Sequence, residues 1–94
     1  APSNSAVRFD VDTDANTLTL SAYSSDQDQA SETIETAVEG TNCMVGFNYS
    51  YIFGCLNALG HEKEITLELT EGRPGVFKSY DKINYIYLVM PVRV

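Results

Sequence analysis

Two-residue alternation of apolar and polar side chains runs through most of this chain, and a single stretch with helical spacing interrupts it. Val7 to Asp12 (VRFDVD) alternates as a half-buried strand does, Thr13 to Asn16 (TDAN) supplies turn chemistry, and Thr17 to Tyr23 (TLTLSAY) alternates again. That pairing predicts a hairpin. Ser24 to Gln29 is polar and acidic and reads as a loop or the frayed start of a strand. Glu32 to Glu39 (ETIETAVE) predicts a strand with Ile34, Thr36 and Val38 on one face and acids on the other. Gly40 to Asn42 is a turn, and Cys43 to Val45 a short apolar strand.

The interruption comes next. Tyr51, Ile52, Cys55, Leu56 and Leu59 follow the three-and-four spacing of one helical face, with Asn48 placed to cap the start and Gly60 just past the end. Three more strands are predicted at Glu64 to Leu69, Gly75 to Ser79 and Asn84 to Val89, separated by turns at Glu71 to Gly75 (EGRPG) and Tyr80 to Ile83. No linker, low-complexity tract or repeat divides the chain. The expectation is one α+β domain, a mainly antiparallel sheet with one helix packed on a face.

A chain of 94 residues must bury most of its apolar groups to offset the entropy of ordering it. Cys43 and Cys55 are too few for a disulfide framework and are not spaced as a metal clip. They read as buried small hydrophobes in a reducing compartment, with a single bridge the lesser alternative, which points to the cytoplasm. Thirteen acidic residues against six basic ones give a formal charge of −7, which excludes a free-standing nucleic-acid binder but not a DNA-related role inside a larger assembly. No apolar run reaches the roughly 18 residues that span a bilayer, so no membrane partner is expected. The opening Ala1 to Ser5 (APSNS) has neither an initiator Met nor a signal pattern, and the expectation is a piece of something longer.

Sites of chemistry are scarce. Asp10, Asp12 and Asp14 alternate like the start of a calcium loop, but the sixth and twelfth positions are Ala15 and Ser21 where such a loop wants Gly and Glu; acids at a hairpin tip are the better reading. His61, the single histidine, lies in a solvated turn (GHEK) with no nucleophile motif near it, and one His with two scattered Cys makes no zinc site. Asn48-Tyr49-Ser50 matches the glycosylation triplet, although helix capping accounts for Asn48. The acidic stretch Asp26 to Glu39 is either a solvated face or an edge strand whose charges admit a basic partner strand.

Tyr85 to Val94 (YIYLVMPVRV) is strongly apolar. Pro91 cannot donate a ladder hydrogen bond, so the strand should stop or lie on an edge there, with Val92 and Val94 extending beyond the sheet. The plain reading is a strand completing the core. The sharper one, second on physical grounds alone, is an apolar groove at a sheet edge that accepts a short peptide.

FNYSY at Phe47 to Tyr51, LNAL at Leu56 to Leu59, LELT at Leu67 to Thr70 and YLVMPVRV at Tyr87 to Val94 together resemble the bacterial DNA sliding clamp family, the beta subunit of DNA polymerase III. Ala6 to Phe9 and the acidic stretch also correspond, so the resemblance covers nearly the whole chain. It implies that residues 1–94 are most of the clamp's third domain without its first helix. It further implies a non-catalytic, cofactor-free protein whose full-length form pairs as a homodimeric ring around duplex DNA and tethers polymerases, the clamp loader and repair proteins.

The resemblance also places a pocket for short linear motifs carrying a glutamine and bulky apolar residues. By motif match it would use Asn48 and Tyr51 at the helix start, Gly75 and Val76 after the turn, and Leu88, Val89, Met90, Pro91, Val92, Arg93 and Val94 at the C-terminal end. Val92 and Val94 replace the usual Met and Leu, and Arg73-Pro74-Gly75 departs from the usual Ser-Pro. Asp26, Asp28 and Glu32 match the edge strand that pairs with the other protomer of the ring. The helix would face the central hole, yet it carries no Lys or Arg, so little DNA affinity is expected from it. Two alternatives stand beside peptide capture: a fragment acting only through edge-strand pairing, and an unrelated small enzyme built on His61 and scattered acids.

Overall fold

The computed structural model describes residues 5–23, 29–80 and 85–93. Strands β1 (Ala6–Asp12), β2 (Thr17–Tyr23), β3 (Gln29–Glu35) and β4 (Cys43–Asn48) precede the helix α1 (Tyr49–Leu59), and β5 (Ile65–Glu68), β6 (Gly75–Ser79), β7 (Ile86–Val89) and β8 (Pro91–Val92) follow it. They form two antiparallel sheets, one ordered β3-β2-β1-β4-β8 and the other β5-β6-β7. The expected α+β class is borne out, with two sheets in place of one. α1 touches β1 and β4 of the first sheet and β6 and β7 of the second.

The predicted hairpin forms in full register from Asp12↔Thr17 outward. Its turn is tied by the Asp12 carboxylate, whose Oδ1 accepts from the N–H groups of Asp14 and Ala15 at 3.0 and 3.1 Å. Asn16 then takes a left-handed φ of 56°, which its short polar side chain tolerates. Period-two alternation puts Val7 and Phe9 on the inner face, across from Phe47 and Val45 of β4. Phe77 on β6 completes the core from the other sheet. The Phe9, Phe47 and Phe77 rings meet pairwise edge to face, with centroids 5.3, 5.9 and 5.6 Å apart. Such pairs add to the hydrophobic stabilisation of the area they bury.

Gly75 is required by this cluster. A Cβ there would stand 2.6 Å from Phe47 Cζ and 3.0 Å from Phe77, so β6 approaches Phe47 only because residue 75 has no side chain.

Three expectations need correction. The strand predicted over Glu32 to Glu39 runs instead from Gln29 to Glu35, because its partner β2 begins at Thr17, which pairs with Glu35. Past that point the backbone turns onto Asn16, whose carbonyl and Oδ1 accept from the N–H groups of Thr36 and Val38. On the helix, Ile52, Cys55 and Leu59 are buried, whereas Tyr51 and Leu56 are 64% and 39% exposed, because they fall on the flanks of the buried stripe. Gly60 caps the helix just past its end, as expected, in the right-handed region at φ −65°.

The third correction is at the C-terminal end. Val92 does not extend beyond the sheets. Pro91 ends β7's pairing, and the chain crosses to the first sheet, where Pro91 and Val92 pair with Phe47 and Gly46 on the free edge of β4. An edge position is where a residue without an N–H is tolerated.

Candidate functional site

Asn48 sets the start of α1, which forms one wall of an apolar opening. Its Oδ1 accepts from the N–H groups of Ser50 at 2.8 Å and Tyr51 at 3.4 Å, which satisfies two donors of the first helical turn. The helix therefore starts beside β7, and a groove of about 440 Å³ lies between them. Ser50, Tyr51, Gly54 and Cys55 form the helix wall. Tyr87, Leu88, Val89 and Met90 form the strand wall. Neither wall carries an ionisable acid or base other than phenols and one thiol, so the groove suits apolar side chains of a ligand.

Of the residues expected at the site, Tyr51, Leu88, Val89 and Met90 line this groove together. Leu88 and Met90, two residues apart along the chain, are 70% and 66% exposed and present a large apolar area. Gly75 and Val76 pair with Val89 and Leu88 in the β6–β7 ladder, so they lie on the strand beside the groove wall and not among the residues that line it. Asn48 acts through the helix cap. Pro91 and Val92 lie in β8, Arg93 follows them on the surface, and Val94 lies outside the described residues.

Ser50, Gly54, Cys55 and Tyr87 join the site without having been expected there. Ser50 and Gly54 are one helical turn apart, and Tyr87 precedes Val89 by the strand period, so spacing from Tyr51 and Val89 carried the signal.

Burial pushes the Cys55 thiol up, and it pushes up Cys43 as well, with Glu71 and Asp10 adding to the effect at Cys43. Both thiols are free and protonated at neutral pH, which makes them poor nucleophiles. Iodoacetamide is expected to modify them more slowly than an exposed thiol at pH 7, with urea abolishing the protection. Equal rates in folded and unfolded chain would contradict this. The stability these raised pKa values contribute is present in full below the unfolded thiol's pKa and is lost as pH climbs through the folded value.

A second opening of about 450 Å³ separates the sheets at the other end. Val11, Leu18 and Cys43 face Ile65, Leu67 and Leu69 across it, and Glu39, Glu64 and Tyr80 stand at its rim. On the nearby sheet edge, Glu32 is exposed. It pairs with Leu20, itself opposite Phe9, so it stands on the core-facing side of the edge strand. An inward charge of this kind discourages indiscriminate strand pairing. Asp26 and Asp28 lie outside the described residues.

Among the described residues, no catalytic arrangement assembles around His61. Ser79 Oγ donates to Glu62 Oε1 at 2.9 Å, and His61 Nε2 lies 3.3 Å from Glu62 Oε2. The carboxylate thus separates hydroxyl from imidazole, so the imidazole cannot take the hydroxyl proton as a general base must. Among the described residues, no three His, Cys, Asp or Glu side chains gather as metal ligands, and no helix is long and apolar enough to cross a membrane.

Two antiparallel sheets joined by one helix, with the C-terminal segment passing from one sheet to the other, define a DNA-clamp type of α+β domain. The fold is that of the DNA polymerase III subunit beta from Pseudomonas aeruginosa, with a TM-score of 0.82 and 24% identity over 95% of this chain and 24% of that one. The chain belongs to the family defined by the C-terminal domain of the DNA polymerase III beta subunit, whose family model matches residues 2–93. It is similar to the beta sliding clamp of Synechocystis, 30% identical over 92 residues that cover 97% of this chain and 23% of that protein. The beta sliding clamp of Streptomyces coelicolor is 33% identical over 101 aligned positions, covering 100% of this chain and 26% of that protein. The chain thus spans about a quarter of the length of these curated relatives.

Proposed function

We propose that residues 1–94 are most of the C-terminal domain of a cytoplasmic, non-catalytic processivity clamp and that they dock the short peptide motifs by which polymerases, the clamp loader and repair proteins attach to it. Encircling duplex DNA belongs to the full homodimeric ring and not to this piece. The observation that carries the reading is the neutral apolar groove between α1 and β7, lined by Tyr51, Leu88, Val89 and Met90 in a chain of the clamp family. The Tyr51 hydroxyl on the helix wall supplies a polar contact for an extended peptide.

The test is an anisotropy titration of a fluorescent peptide carrying one glutamine and bulky apolar anchors into the folded chain. Saturable binding is expected, and an otherwise identical peptide with those residues changed to alanine should not bind. A chain that is folded by circular dichroism and binds neither peptide sinks the reading. That result leaves the second one, in which the piece acts through the edge of β3. In its favour, β3 pairs only with β2 among the described residues and carries the exposed Glu32.

A further inference from the structure

Gly54 sits in the middle of α1, where glycine is less favourable than alanine. Three of the other five glycines have a visible cause: Gly40 and Gly72 take positive φ, and Gly75 makes room for Phe47. At Gly54 neither cause applies. Its φ is not positive, and a Cβ built on it meets no atom within 4 Å. The space that a side chain would occupy is therefore empty, and Gly54 lines the groove. Ser50, one turn earlier, is the small neighbour on the same wall, while the facing strand presents the long side chains of Leu88 and Met90.

We infer that Gly54 is the specificity-determining position of this groove: the omitted side chain leaves room for the bulkiest, aromatic anchor of a bound peptide to lie against the helix backbone. The inference rests on the peptide-docking reading. An aromatic ring gains from contact with the helix backbone left bare at Gly54, and the thioether of Met90 across the groove is a favourable neighbour for it. A side chain at position 54 would narrow the groove against a ring and would matter little to a small anchor.

The experiment compares wild type with Gly54→Ala and Gly54→Leu in the 94-residue chain. Each is titrated with two peptides that differ only in one anchor, Phe or Val. Gly54→Ala should melt at a higher temperature than wild type, since it improves the helix, yet bind the Phe peptide at least about tenfold more weakly. Gly54→Leu should abolish binding of the Phe peptide. The Val peptide should change by less than about twofold on Gly54→Ala, so the preference between the two peptides inverts or collapses. Loss of stability alone cannot produce a variant that melts higher and binds one peptide worse. The inference is overturned if Gly54→Ala and Gly54→Leu bind the Phe peptide as wild type does, or if both peptides weaken equally. Failure of folded wild type to bind either peptide is a different result, seen before any substitution, and it removes the docking reading itself.

Discussion

Phe47→Ala should leave the chain barely folded, lowering the unfolding free energy by about 3–5 kcal/mol. A domain of this size has roughly 5–14 kcal/mol in total, so the loss is a large fraction of what holds it together. The cause is local and specific. Phe47 is fully buried, and its ring contacts those of Phe9 and Phe77. It also fills the space over Gly75, where no side chain exists to collapse into the vacancy. Truncation therefore opens a cavity between the two sheets that neither can close. Phe53→Ala is the matched control, since Phe53 is 56% exposed, and it should cost less than about 1 kcal/mol. Urea denaturation followed by circular dichroism measures both. A Phe47→Ala midpoint close to that of Phe53→Ala would mean that the core is not centred on the three rings.

Leu88→Glu combined with Met90→Glu should have the opposite profile, an intact fold with peptide affinity lowered about 100-fold or more. Both side chains are mostly exposed, so the unbound chain loses little when they become charged. In a complex they are the strand wall of the groove. Removing two central apolar anchors is worth about 2 kcal/mol or more, and each carboxylate adds the cost of burying an unpaired charge against an apolar ligand. The measurements are thermal melting and anisotropy with the same peptide. Unchanged affinity would place the peptide elsewhere on the surface. An unfolded double variant would show that Leu88 and Met90 serve the fold.

Much of this architecture was legible because period-two alternation of apolar and polar residues is clear along β1 and β2. Val7 and Phe9 could be assigned to the core from sequence, as could the turn at Asp12 to Asn16. The helix was legible from Asn48 and the spacing of Ile52, Cys55 and Leu59. Beyond the β1–β2 hairpin, what sequence could not supply was the partner of each strand. The end of β3 is set by where β2 begins, and the crossing at Pro91 is set by the free edge of β4, facts of tertiary pairing and not of local pattern. The two-sheet arrangement was hidden for the same reason.

The groove was legible only in part. Exposed Leu88 and Met90 look the same in sequence as core residues, and the family resemblance, not periodicity, singled them out. Gly54 was invisible because a glycine declares its purpose only when the space around it is known.

The placement of β8 also bears on how the chain folds in time. β1 and β2 can zip locally, but Phe47 must find Val7 across 40 intervening steps of chain and Pro91 must then find Phe47 across 44 more. Closing two such spans before the contacts reward them puts the molecule in the slow, millisecond-to-second class. During synthesis the β4 edge stays bare until residues 91 and 92 arrive. The nascent chain thus carries an aromatic-bearing strand with one open edge while residues 49–90 emerge, the period in which a holdase has most to offer it.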